Sequence, residues 1–138
     1  MISALVALMA ALALAAVVGW LLNRRAGRVR ATDPGAADEV DTRDLGLSAD
    51  GPTVVHFTAP WCSPCTQVRR VVTQVCTDLG DVAHVEIDMD ANPAAARRLS
   101  VLSLPTTLIF DAGGRQRYRA SGVPKADDLR SALTPLLA

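Results

Sequence analysis

The sequence predicts an α/β protein in which a mixed central sheet flanked by helices follows one N-terminal transmembrane helix. Three observations carry this. Ile2 to Leu22 is a run of 21 residues without a charge. From residue 53 the pattern switches between the short apolar runs of buried strands and the apolar stripes of amphipathic helices. A pair of cysteines, Cys62 and Cys65, stands where the first such strand turns into the first such helix.

The bulk numbers bound the problem. At 138 residues the chain holds one domain plus a tail, and its formal net charge of zero gives no reason to expect nucleic acid as a partner. Its cationic residues are 13 Arg and one Lys, a compositional bias rather than a functional signal. Three cysteines are too few for a disulfide-stapled secreted scaffold, and the number is odd. The chain divides into a transmembrane helix (1–23), a basic juxtamembrane segment with an acidic flexible linker (24–52), and a domain (53–138).

At ~1.5 Å per residue the uncharged run spans ~30 Å, the thickness of a bilayer's hydrocarbon core. Trp20 lies near its end, where interfacial aromatic residues are expected. A cleaved signal peptide is the competing reading. It calls for a basic start and a shorter apolar core, whereas no Lys or Arg precedes this run. Arg24, Arg25, Arg28 and Arg30 follow it. Arginines beside a span stay in the cytoplasm, so a single-pass cell-membrane protein is expected, with its N-terminus outside and its domain cytoplasmic. Ala31 to Pro52 then carries six acidic residues against Arg43, with Pro34, Gly35, Gly46 and Gly51, a composition that favours a solvated spacer. Val40, Leu45 and Leu47 offer a short docking segment within it.

The domain opens with Thr53–Thr58, a continuous β-branched run of the kind buried strands show. A helix follows from about Cys62 to Leu79, with Val68, Val71, Val72, Val75 and Cys76 on one face and Gly80 as its C-cap. Val82 to Asp88 reads as the second strand. Asn92 and Pro93 start a short helix to about Leu99, as N-cap and first helical residue. Thr106–Phe110 is the next strand, Asp111 to Gly114 a hairpin turn, and Arg115 to Ser121 an alternating, exposed antiparallel strand. Lys125 to Leu137 forms a last helix with Leu129, Leu133 and Leu137 on one face. The order is β-α-β-α-β-β-α, an open sheet with helices on both faces.

Two thiols two residues apart at the start of a helix can close a small disulfide ring. The helix N-terminus, with unpaired N–H groups and a positive dipole end, stabilises a thiolate. That suits dithiol–disulfide exchange, although zinc sites use the same spacing.

Strand, Trp61-Cys62-Ser63-Pro64-Cys65, helix, Leu104-Pro105-Thr106 before a buried strand, Gly113-Gly114 and Gly122 after the last strand together resemble the thioredoxin family over residues 53–136. With the N-terminal span, the chain is similar to membrane-anchored thioredoxin-like proteins. The resemblance implies a thioredoxin-like fold and a protein-disulfide reductase without a cofactor or metal. Cys62 would be the nucleophile and Cys65 the buried resolving thiol, the two closing a redox-active disulfide. Pro105 would be a cis-proline, its turn placing the Leu104 backbone beside Cys62 where an extended substrate pairs. Trp61, Leu104, Pro105 and Gly122 would form the substrate groove. Expected partners are protein disulfides, a thiol or disulfide electron donor and the membrane, with the chain a monomer.

The sequence departs from the family pattern in three places. Ser63 stands between the cysteines where Gly is frequent. His56 occupies the strand position beneath the second cysteine where the family often has a buried Asp, and His84 the neighbouring position where it often has Lys. With an unperturbed pKa of ~6.5, His56 can serve as base to Cys65 without a large shift, while His84 reads better as a hydrogen-bonded core residue. The fold's usual first strand and helix are short or missing, which leaves a sheet edge in question. Cys76 lies ~16 Å along the helix from Cys65, too far for a disulfide, and reads as a core residue. Two other functions compete with a cytoplasmic reductase. One is an extracytoplasmic thiol reductant of the cytochrome-maturation type; the other is a non-enzymatic tethered module that binds metal or a partner.

Overall fold

The computed structural model describes residues 1–33, 35 and 40–138. Its first element, α1 (Ile2–Asn23), buries none of its residues. A helix apolar on every side with nothing packed on it is long and apolar enough to cross a membrane. At its end the Arg24 guanidinium lies 4.1 Å from the centre of the Trp20 ring.

The sheet that follows has five strands: β1 (Arg30–Ala31), β2 (Thr53–Thr58), β3 (Ala83–Asp88), β4 (Thr106–Phe110) and β5 (Gln116–Ser121), in the spatial order β1-β5-β4-β2-β3. β2 and β3 run parallel, and the other pairings are antiparallel. The sheet is therefore mixed, as expected. Its helices are α2 (Cys65–Leu79), α3 (Pro93–Arg98) and α4 (Ala126–Leu133), with a closing 3₁₀ turn at Thr134–Leu136.

Every residue of β2 is buried, because both faces of this central strand are covered. On one face Val54 and Ile109 pack with Val68, Val72 and Val75 of α2 and Leu129 and Leu133 of α4. On the other, Val55, Phe57, Leu108 and Phe110 pack with Ala95, Ala96 and Leu99 from the α3 side. Burying each large side chain contributes about 1.5–3 kcal/mol, so two layers rather than one hold the sheet.

Several expected boundaries move for local reasons. α2 begins at Cys65, not Cys62, with Pro64 at its N-cap. The last helix stops at Leu133 and tightens into the 3₁₀ turn where Pro135, lacking an N–H, cannot extend the ladder. Asn92 stands at the N-cap of α3 but makes no capping bond; its amide donates to Asp88 O at 3.0 Å instead. Gly80 ends α2 with φ 85°, as expected of a C-cap.

The stretch expected as spacer is partly built into the domain. Arg30 and Ala31 pair with Arg119 and Tyr118 of β5. This short edge strand pairs with β5, a strand expected to be exposed in which Gln116 and Ala120 are buried. Leu45 is buried in the α3-side layer with Val40 and Leu47 against it, which is the expected docking. Arg98 also pairs with Asp44 at 2.5 Å. Residues 34 and 36–39 of the expected spacer, with Pro34, Asp38 and Glu39, lie outside the described residues. Among the described residues no strand pairs with the outer edge of β3.

Candidate active site

β2 delivers the chain at Thr58 to a turn across residues 59–64, and α2 carries it away. Cys62 N donates to Ala59 O at 3.0 Å and Cys65 N to Cys62 O at 3.3 Å, which winds the turn so that both sulfurs meet. Cys62 and Cys65 are joined in a disulfide, with their Cα atoms 5.5 Å apart. Cys65 is 1 % exposed and Cys62 8 %, so Cys62 is the more accessible of two buried residues. Ser63 and Pro64 between them are exposed.

Leu104 packs directly against Ala59, Cys62 and Cys65. The Leu104–Pro105 peptide is cis, as the resemblance implies. Pro105 O accepts from Gly122 N at 2.9 Å, which ties the end of β5 to the proline loop. Gly122 has φ 89°, a conformation that favours glycine, and the backbone of Gly27 lies 3.1 Å from where a Cβ would stand. Trp61 is 66 % exposed beside the disulfide, and its indole N–H donates to Asp90 Oδ2 at 2.9 Å. The candidate groove residues Trp61, Leu104, Pro105 and Gly122 thus belong to the loops at one end of the sheet, around the cysteine pair.

Asp90 is a residue that sequence reasoning missed. It sits in the loop after β3, where Asp88 Oδ1 accepts from the backbone N–H of Asp90 (2.8 Å) and Ala91 (3.3 Å). Aspartates two residues apart in a polar loop are a turn signal, but nothing in the spacing points one of them at Trp61.

A polar network lies on the α2 side of the sheet, where His56 shares a face of β2 with Val54. His56 is fully buried, and its Nδ1 is 2.9 Å from His84 Nε2. The rings stack with centroids 5.0 Å apart. On its other side His56 Nε2 lies 3.5 Å from Glu86 Oε2. Glu86 in turn takes both branches of the Arg69 guanidinium, which reaches across from α2. The register explains the grouping. His56 is level with Glu86 across the parallel β2–β3 pair, and His84 is two residues earlier on the same face of β3.

Burial pushes His56 down to about 4, against the opposing pull of Glu86. The expectation of a base with an unshifted pKa is therefore corrected: His56 is neutral at physiological pH and less basic than an ordinary histidine. Burial lowers His84 as well. The hydrogen bond from Arg69 holds Glu86 below the usual carboxylate range. Phe57 O, one residue on from His56, is 3.9 Å from Cys65 Sγ, within reach of a thiol S–H once the disulfide opens. Cys76, the spare thiol, is free and buried in the α2-side core, and burial pushes it up to about 11. It is unreactive by that measure, in keeping with a core role.

The thioredoxin family profile matches residues 41–135. A thioredoxin of Mycolicibacterium smegmatis is 38 % identical over 96 residues, 67 % of this chain and 84 % of that one. Thioredoxin 1 of a Nostoc strain is 36 % identical over 80 residues, 57 % of this chain and 75 % of its own. Among solved structures, a thioredoxin of Trypanosoma brucei brucei superposes with a TM-score of 0.57 at 30 % identity, covering 66 % of this chain and 79 % of that one. Chloroplastic thioredoxin z does so with 0.56 at 33 % identity, covering 63 % and 79 %.

Proposed function

The chain belongs to the thioredoxin family and is a thioredoxin-type disulfide oxidoreductase, and from this we propose that it reduces protein disulfides at a membrane surface, with Cys62 attacking and Cys65 resolving. The observation that carries the proposal is the Cys62–Cys65 disulfide at the start of α2, packed under Leu104 beside the cis-Pro105.

The cycle starts from the dithiol. The Cys62 thiolate, stabilised by the N-terminus of α2, attacks one sulfur of a substrate disulfide. A mixed disulfide forms and the first substrate thiolate leaves. Cys65 then gives its proton to His56 and attacks Cys62 Sγ, which closes the internal disulfide and expels the second substrate thiolate. Two electrons have passed to the substrate, and an external dithiol donor returns them. Neutral His56 has a lone pair to accept the proton, and the Glu86 carboxylate at 3.5 Å supplies opposite charge to the imidazolium that forms. Trp61, Leu104, Pro105 and Gly122 line the groove in which an extended substrate segment lies.

The membrane part rests on α1, which we read as a single span with 24–52 joining it to the domain, and on Arg24, Arg25, Arg28 and Arg30, which favour a cytoplasmic domain. Two experiments test the proposal. The full chain in detergent reduces insulin disulfides with a dithiol donor, and Cys62→Ser abolishes this; activity retained in that variant ends the assignment. Labelling of the reduced thiols in intact cells by a membrane-impermeant alkylating agent decides the side: labelling only after lysis fits the cytoplasmic domain, and labelling before it fits an extracytoplasmic reductant.

A further inference from the structure

The end of the sheet that carries the disulfide is also the end that receives α1. Gly27 N donates to Ser121 O at 2.5 Å, and Gly122 N donates to Pro105 O at 2.9 Å. Two hydrogen bonds and one peptide link thus connect the first residues after the apolar helix to the cis-proline loop. Beside this junction opens a cavity of about 560 Å³, whose lining runs from Leu22 in the last turn of α1 to Gly122. Arg25, Arg28, Arg30 and Arg119 line it, and none of the lining residues is acidic.

Among the described residues none of the four takes part in an ion pair. Arg30 and Arg119 are direct partners across the β1–β5 pair, where like charges repel. Arg119 also donates from one terminal nitrogen to Leu99 O (2.8 Å) and Ser100 O (2.6 Å). Burial also lowers its pKa. An anion bridging the two guanidinium groups would turn this repulsion into a clamp. Guanidinium forks match phosphate oxygens in pairs. The cavity begins at Leu22, at the level where Trp20 and Arg24 stack, which is headgroup depth for a spanning helix.

We propose that Arg25, Arg28, Arg30 and Arg119 form a site for the phosphate of an anionic phospholipid, which holds the disulfide end of the domain against the membrane. The site rests on the reading of α1 as a span. Its consequence is selectivity, since disulfides close to the membrane surface meet Cys62 first.

Native mass spectrometry of the full chain, released from nanodiscs containing phosphatidylglycerol and phosphatidylcholine, tests this. The expected result is retained phosphatidylglycerol on the wild type. Losing two arginines at about 1 kcal/mol each corresponds to roughly thirtyfold weaker retention in Arg30→Gln/Arg119→Gln. Arg25→Gln/Arg28→Gln, which leaves the Leu99 and Ser100 contacts intact, serves where the first pair unfolds, and loses the adduct likewise. Adducts unchanged in both variants overturn the site. Displacement of the lipid by inorganic phosphate at equal concentration overturns the lipid assignment in favour of a free phosphate. A wild-type chain that fails to float with liposomes overturns the membrane reading of α1 itself, separately from the arginine site.

Discussion

Alternate residues of β2 enter two different interiors. Val55 and Phe57 point into the α3-side layer, where their neighbours are apolar: Leu108, Phe110, Ala95, Leu99. Val54 and His56 point the other way. Val54 joins Val68, Val72 and Leu129 in a layer of the same apolar kind, but His56, two residues on, meets His84 and Glu86. One strand, one degree of burial and a period of two residues produce an apolar face and a face that also carries a polar network. The polar side chain on the second face costs free energy unless its nitrogens find partners. β3 supplies a hydrogen-bond partner for Nδ1 in His84, while Nε2, without a hydrogen bond among the described residues, faces Glu86 at 3.5 Å, which Arg69 of α2 anchors. Both sides pack the strand, and one of them also holds the His56–His84–Glu86 network.

The sharpest separation of the two faces comes from Phe57→Ala. Phe57 is fully buried, and truncating a buried Phe costs about 3–5 kcal/mol. Urea unfolding of the full chain in detergent should show that loss. The refolded variant should keep the wild-type pH dependence of disulfide reduction, because the His56 network lies on the opposite face. A change in the pH profile without loss of stability would mean that the two faces are not independent.

His56→Ala should do the reverse. We expect disulfide reduction by the dithiol form to slow by roughly 10²-fold at pH 7, the lower end of a general base's contribution. The resolving step, followed by decay of the mixed disulfide, should carry the loss. An unchanged rate above pH 7 rules out the base role. Stability gives a second readout. The folded pKa of His56, about 4, lies below the ~6.5 of an unfolded histidine. Between these values the unfolded chain binds the extra proton. Stability from this residue is present above pH ~6.5 and is lost as pH falls toward 4. The difference in urea midpoint between wild type and His56→Ala should therefore shift over that window, to the disadvantage of the wild type at the acid end.

The comparison also marks what the sequence makes legible. The two-layer sheet follows from runs such as Thr53–Thr58 and stripes such as Val68, Val72 and Val75, whose periods are local properties. The cysteine pair and Pro105 stand out because their spacing is chemical. His56 and His84 are visible as unusual residues in apolar strands. Their partners Glu86 and Arg69 are not, because they join only through the β2–β3 register and the reach of a long side chain from α2. The depressed pKa of His56 escapes notice for the same reason, since it depends on how completely the layer closes over the ring. β1 is invisible for another reason. Arg30 and Ala31 carry no strand pattern, and they are ordered by pairing with the distant Arg119 and Tyr118 of β5.

The smallest effect tests how the two faces of the network divide their labour. The Glu86 carboxylate pulls the His56 pKa up, while burial, His84 and the Arg69 charge push it down. Glu86→Gln removes the only one of these influences that favours the imidazolium, and it leaves Arg69 unpaired on the same side. The acid limb of the rate profile, which falls as His56 becomes charged, should therefore move to lower pH. Stability should change little, because Arg69 is about half exposed, with side-chain exposure of 48 %, and such pairs contribute about 0–1 kcal/mol. A rate profile measured on the full chain from pH 4 upward reads both. An acid limb that stays in place or moves up would show that Glu86 holds Arg69 to the surface without acting on His56, and would leave His84 as the only partner of the buried ring.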